Sequence, residues 1–301
     1  MRNILSRTLV DYAARPEFVF LTGDLGFMAL EPVKQAAGPR FINAGVAEQN
    51  MVSVAAGLAR TGFKPWVYSI APFVYARPFE QIRNDVCHHK LPVCLVGNGG
   101  GYAYGVMGGT HHAIEDYGAL LTLPHLTAYI PAFAEDVPAA IARVDAACRP
   151  AYLRLGRDEK PQGYQPPAYA PWRKVLSGAG PTLLIVGPLA GGILGALLQL
   201  PEARRPATWI LAELPIDAGA IPRNFLDDLR TSDRLIVVEE HVAQGGAGQI
   251  IALALLSGGV APRRFQHRHA LGYPSGQLGS QAFHRRESGL DPESIVAALE
   301  S

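Results

Sequence analysis

The chain has 301 residues, room for about two domains of ordinary size. Apolar residues make up 49% and charged residues 18%, which supplies a sizeable core and excludes a disordered tail protein. The formal net charge is +1 with no block of like charges, so neither nucleic acid nor a membrane surface is expected as a partner. Three cysteines, Cys87, Cys94 and Cys148, form no Cys-x-x-Cys pair, which argues against a disulfide framework or zinc knuckle. No signal peptide is read in MRNILSRTLVDYAARPEF, and a cytoplasmic setting is expected.

Taken in order, Phe18-Val19-Phe20-Leu21-Thr22 reads as a buried strand ending at Gly23. Residues 47–60 read as a helix, and a strand begins at Lys64-Pro65-Trp66-Val67-Tyr68. A helix is expected over 78–89, with Pro78 in its first turn. Pro92–Val96 is a third strand, followed by the glycine run Gly99–Gly101. Strand signals recur at Thr127–Ile130 and Ala151–Leu155, with a helix over 134–147 between them. Such alternation predicts a parallel sheet covered by helices on both faces.

Residues 158–174 hold four prolines and little apolar periodicity. They suggest a first domain over 1–160, a linker over 161–175 and a second domain over 176–301. Strands of the second unit are expected at Thr182–Val186, Thr208–Leu211 and Arg234–Val238. The apolar stretch 183–200 is about long enough to span a bilayer. Gly187-Pro188 and Gly191-Gly192 interrupt it, so a strand, a glycine turn and a helix are expected instead. The glycines of Gly245-Gly246-Ala247-Gly248 do not follow dinucleotide-binding spacing and read as a turn into a helix over 248–257. The fold class is therefore α/β, as two three-layer α/β/α domains.

The chemically informative segment is FINAGVAEQNMVSVAAGLA, residues 41–59, which sets Glu48 in the first turn of a helix. Taken alone, such an acid is an ordinary helix-dipole partner. The adjacent pairs His88-His89 and His111-His112 do not suggest a metal, because neighbouring side chains seldom converge on one ligand, and no metal ligand is assigned to this chain.

The 41–59 segment resembles the pyrimidine-binding domain of transketolases and 1-deoxyxylulose-5-phosphate synthases. The resemblance continues, in order, through KPWVYSIAPFVYARPFEQIRND (64–85), GGTHHAIED (108–116), RPAYLRLGR (149–157) and VVEEHVAQGGAGQ (237–249). It implies a pyrimidine-binding domain, a transketolase C-terminal domain and thiamine diphosphate as cofactor. Glu48 matches the glutamate that hydrogen-bonds the pyrimidine ring and favours its imino form. Phe73 is the expected stacking residue, with Tyr68, Tyr75 and Arg77 also placed about the cofactor. His111 matches the channel histidine, in catalytic and substrate-binding roles. Arg157 matches an arginine that meets a sugar phosphate, and Asp24 joins it on the substrate side.

The family's Gly-Asp-Gly signature for binding the diphosphate through magnesium has no counterpart; Gly23-Asp24-Leu25-Gly26 lies in the opening strand–turn instead. The resemblance therefore implies a second subunit that carries the diphosphate-binding domain and the Mg2+ ligands, in an α2β2 assembly. Met107 stands where the family often has an aspartate that recognises a substrate hydroxyl, and a thioether accepts only weakly. The expected activity is transfer of a two-carbon ketol unit from a ketose to an aldehyde. The alternatives are thiamine-dependent acyl transfer or decarboxylative condensation, and a non-catalytic partner subunit.

Overall fold

A computed structural model describes residues Met1–Glu300. The strands are β1 (Phe18–Thr22), β2 (Phe41–Asn43), β3 (Lys64–Ile70), β4 (Cys94–Asn98), β5 (Thr127–Tyr129), β6 (Ala151–Leu155), β7 (Trp172–Leu176), β8 (Thr182–Val186), β9 (Ala207–Leu211), β10 (Glu213–Leu214), β11 (Arg234–Glu239) and β12 (Arg264–Arg268). They form two sheets, ordered β10-β5-β6-β4-β3-β1-β2 and β12-β11-β8-β9-β7. Pairing is parallel except at β10 and β7, which run antiparallel at sheet edges. Strands β1, β6, β8 and β9 are buried along their whole length, as apolar runs without alternation require when helices cover both faces.

One face of the first sheet packs on the helices Arg2–Ala13, Glu31–Ala37 and Val137–Ala147, through Leu5, Leu9, Val33 and Ile141. The other face carries the helix Glu48–Arg60 and the short helix Ala71–Tyr75. That second core runs on without a break into the second sheet, reaching Leu184, Trp209 and Val237. A third core, around Ile193, Leu194, Ile210 and Ile295, closes the far face. The fold class read from sequence is the one found: two α/β units, each a sheet between helical layers.

Local differences have simple causes. The last four residues of the expected linker, 172–175, are already in β7, where Trp172, Arg173 and Lys174 pair with β9. β10 lies in the second half of the chain yet extends the first sheet by pairing with β5. Two residues carry too little pattern to announce a strand. The expected helix over 78–89 begins as Phe79–Gln81 and widens into a π-helical turn over Ile82–Cys87. The helix Arg2–Ala13 has no side-chain cap and no acid in its first turn, so the usual start signals were missing. The 183–200 stretch splits at Gly187, whose φ of +81° suits glycine, into β8 and the helix Ala190–Leu198. Among the described residues no helix is long and apolar enough to cross a membrane.

Candidate active site

The site lies at the C-terminal ends of β1, β2 and β3, where open parallel sheets leave their crevices. Ala44 N–H donates to Thr22 O at 2.9 Å, and Gly45 N–H to the side chain of Asn43 at 3.0 Å, folding the turn that enters the helix Glu48–Arg60. The turns after β1 and β2 are so close that a Cβ on Gly23 would stand 3.2 Å from Gly45 O and 3.8 Å from Glu48 Oε1. The residue before Glu48, Ala47, offers no side-chain cap, so Glu48 supplies the only charge in the first turn.

Glu48 is 5% exposed, a buried carboxylate that needs a partner. Arg77 supplies it, donating from Nη1 to Oε1 at 2.8 Å and to Oε2 at 2.9 Å. The same guanidinium lies over the ring of Phe73, 3.8 Å from its centroid. Phe73 meets the ring of His111 edge-on at 5.2 Å, and His111 is flanked by Tyr104 at 5.8 Å. Thr110 Oγ1 stands 2.9 Å from His111 Nδ1. Four residues expected from the sequence, Glu48, Phe73, Arg77 and His111, are thus brought into one chain of contacts.

The others fall outside it. Tyr68 alternates onto the opposite face of β3, where it is buried in the core with Phe20, their centroids 6.2 Å apart. Its phenol, pushed up by burial, stays neutral. Tyr75 turns its hydroxyl to Glu115, at 3.4 Å, rather than to Glu48. Asp24 is exposed near the same strand ends and accepts from Asn43 Nδ2 at 2.9 Å. Arg157 is exposed just past β6.

Loop 99–115, which carries His111, crosses to the second unit and is held there by buried charges. Arg154, inside β6, donates to Asp116 at 2.7 Å, to Ala113 O at 2.9 Å and to Glu240 O at 3.0 Å. Glu240 accepts from Tyr102 N–H at 2.9 Å and from Arg285 Nη2 at 2.8 Å, and Arg285 also grips Glu159 at 2.8 Å. Glu239 accepts from Tyr117 and His267, and caps the helix Ala247–Ser257 through Ala247 and Gly248 N–H, both at 2.8 Å. Gly246 must be small there, since a Cβ would come 2.5 Å from Glu239 Oε1. Burial opposes both ionised carboxylates, but these partners hold Glu239 and Glu240 below the usual carboxylate range. The available signal was the acidic pair ending an otherwise apolar strand, RLIVVEEH, because buried acids require partners.

Residues 1–162 match the family described as transketolase, pyrimidine binding domain. One apulose-4-phosphate transketolase subunit, from Phocaeicola vulgatus, is 29% identical over 99% of this chain and 96% of its own. 1-Deoxy-D-xylulose-5-phosphate synthase of Thermomicrobium roseum is 31% identical over 98% of this chain, which spans only 47% of that longer protein. A solved structure described as a split gene transketolase, inactive beta4 tetramer, superposes with a TM-score of 0.81 at 29% identity, covering 99% of this chain and 96% of its own. With its first half matching that family and its whole length matching split transketolase subunits, the chain belongs to the transketolase family, in the half that carries the pyrimidine-binding domain.

Proposed function

We propose that this chain is one subunit of a thiamine diphosphate-dependent transketolase that moves a two-carbon ketol unit from a ketose to an aldehyde. The observation that carries the reading is the contact between Glu48, Arg77 and Phe73. A planar, delocalised group with N–H donors already fits between the buried carboxylate and the aromatic face, which is the shape and hydrogen bonding an aminopyrimidine needs.

Bound thiamine diphosphate supplies the nucleophilic carbon. Glu48 would hold a proton on the ring nitrogen of the pyrimidine, in a hydrogen bond strengthened by its burial. Phe73 would orient the ring by stacking, in the place the Arg77 guanidinium takes in this structure, and Arg77 would move to the edge of the bound ring. His111 would orient the substrate and move a proton at its hydroxyl or carbonyl oxygen. Arg157 and Asp24 would take the substrate's outer end, where a guanidinium fork suits a phosphate and a carboxylate suits a hydroxyl. Tyr68 and Tyr75 serve as packing behind this surface rather than as ring contacts.

The magnesium and diphosphate ligands are assigned to a second kind of subunit, in an α2β2 assembly with each site completed across the contact. The boundaries 1–160, 161–175 and 176–301 are proposed as working domain limits, with β7 counted in the second sheet. A cytoplasmic setting is in keeping with three free cysteines.

Calorimetry of thiamine diphosphate with Mg2+ tests the reading, on the chain alone and mixed with a diphosphate-binding subunit. Tight binding confined to the mixture, followed by ketol transfer in a ketose–aldehyde screen, is the expected result. Tight binding by the chain alone would overturn the shared site, and turnover of a 2-oxo acid in place of a ketose would move the activity to acyl transfer.

A further inference from the structure

We infer that His112 and Tyr273 form a latch through which the second unit fixes the position of His111, so that His112 is a positioning residue for the transfer reaction. This rests on the role proposed above for His111.

The two neighbouring histidines face opposite ways. His111 turns toward Phe73 and Tyr104, while His112 is 3% exposed and packs against residues that include Tyr273 of the second unit. The His112 ring makes two hydrogen bonds, and their chemistry fixes its tautomer. Nε2 stands 2.8 Å from Gly105 O, and a carbonyl can only accept, so Nε2 carries a hydrogen. Nδ1 stands 2.8 Å from Tyr273 Oη, so in the neutral ring it accepts the phenolic hydrogen. Every polar atom of the ring is then used. Burial lowers the tendency of His112 to protonate, which favours the neutral ring this pattern needs.

The packing leaves the ring little room. His112 stacks on Tyr273 at 5.7 Å with an interplanar angle of 17°, and meets Tyr102 and His284 edge-on at 5.2 and 4.9 Å. Tyr273 also closes on the loop at Gly109, where a Cβ would come 3.1 Å from its hydroxyl. The bond to Gly105 ties the end of the 105–112 loop to its beginning, and the N–H groups of His111 and His112 both reach Gly108 O, at 2.9 and 3.1 Å. The backbone of His111 is therefore held between a closed turn and an anchored neighbour. The anchor belongs to the other unit, so the second unit sets where His111 points.

The test uses histidine 15N NMR on the full chain, with His111 and His112 assigned by substitution, and kinetics on the assembled enzyme. His112 is expected as the neutral Nε2–H tautomer. Tyr273→Phe removes the hydroxyl but keeps the stacking; it should shift the His112 Nδ1 resonance and also move the His111 ring resonances. His112→Gln offers an amide N–H to Gly105 and an amide oxygen to Tyr273, so it should restore the wild-type His111 signals. His112→Leu should not. In the assembly, Tyr273→Phe and His112→Leu should lower kcat about tenfold with KM unchanged, since the loss is one of orientation.

Two results would overturn the latch: His112 carrying its proton on Nδ1, or His111 resonances that stay put in a Tyr273→Phe chain of wild-type melting temperature. If His112→Leu fails to fold, Tyr273→Phe and His112→Gln decide the matter between them. An assembly without any ketol transfer would count against the proposed function, and the NMR comparison would still decide the latch.

Discussion

Two groups of charged residues stand about the ends of the same strands, and they are built in opposite ways. On the seam between the units, Asp116, Arg154, Glu239, Glu240 and Arg285 are all buried, and each finds its main partners within the chain. At the candidate active site, Glu48 is just as buried but relies on Arg77, whose side chain is 43% exposed, while His111 is only partly covered. The seam is held by buried partners, although Asp116 Oδ1 is left without one. The site is a buried acid with a replaceable partner, facing an aromatic ring and a half-open histidine. Charge type does not separate the two regions here; the exposure of the partner does.

The sharpest way to test that contrast is to break the seam. Asp116→Ala strands Arg154 in a buried position, and removing one member of a buried pair typically costs about 3–5 kcal/mol. Denaturant unfolding should show that loss as a lower midpoint, and an unchanged midpoint would mean that the seam is not a structural lock.

The matching change at the site should behave the other way. Glu48→Ala should lower ketol transfer by about 100-fold or more in the assembled enzyme, the scale of a lost proton-handling group. Its unfolding midpoint should move little, because Arg77 can return to water. A large stability loss with activity retained would reverse the assignment of the two regions.

Acidification should act on the seam and its histidine cluster in two stages. His112 and His284 are disfavoured from protonating, chiefly by burial; in His112 the bond to Gly105 O and the charge of Glu240 oppose this while His284 and His111 add to it, and in His284 Glu287 and Glu240 oppose it. The unfolded chain therefore binds more protons, and stability should fall as pH drops below about 6.5, the ordinary histidine value. Glu239 and Glu240 are held below the ordinary carboxylate range, so a second loss should begin below about 4.3. Melting temperature against pH reads both stages, and Tyr273→Phe with His112→Gln should leave the lower one in place. A curve flat from pH 7 to 5 would show that the histidine pair does not contribute.

The smallest effect is expected at Arg157. Arg157→Ala should raise KM for a phosphorylated acceptor about tenfold, the worth of one charge-assisted contact, and leave melting unchanged. Equal KM for phosphorylated and unphosphorylated acceptors in the parent enzyme would remove the phosphate role.

The sequence alone determined the alternation of strand and helix, because buried parallel strands must be apolar along their length and covering helices must repeat at their own period. It also marked Glu48, Phe73, Arg77 and His111, through the family resemblance of the short ordered words that carry them. Tertiary structure decided the rest. Strand β10 joins the first sheet from the second half of the chain, and two residues hold no pattern that could say so. Tyr68 looked available beside Phe73 in sequence, but strand alternation sends it to the opposite face. His112 had no role assigned from the sequence, and only the fold brings Tyr273 to its ring from 161 positions away. Glu239 and Glu240 find His267 and Arg285 when the second unit folds, and Tyr117 and Tyr102 only when the two units meet. Local rules set which way a side chain starts; which partner it reaches depends on contacts distant in sequence, and those exist only in the folded chain.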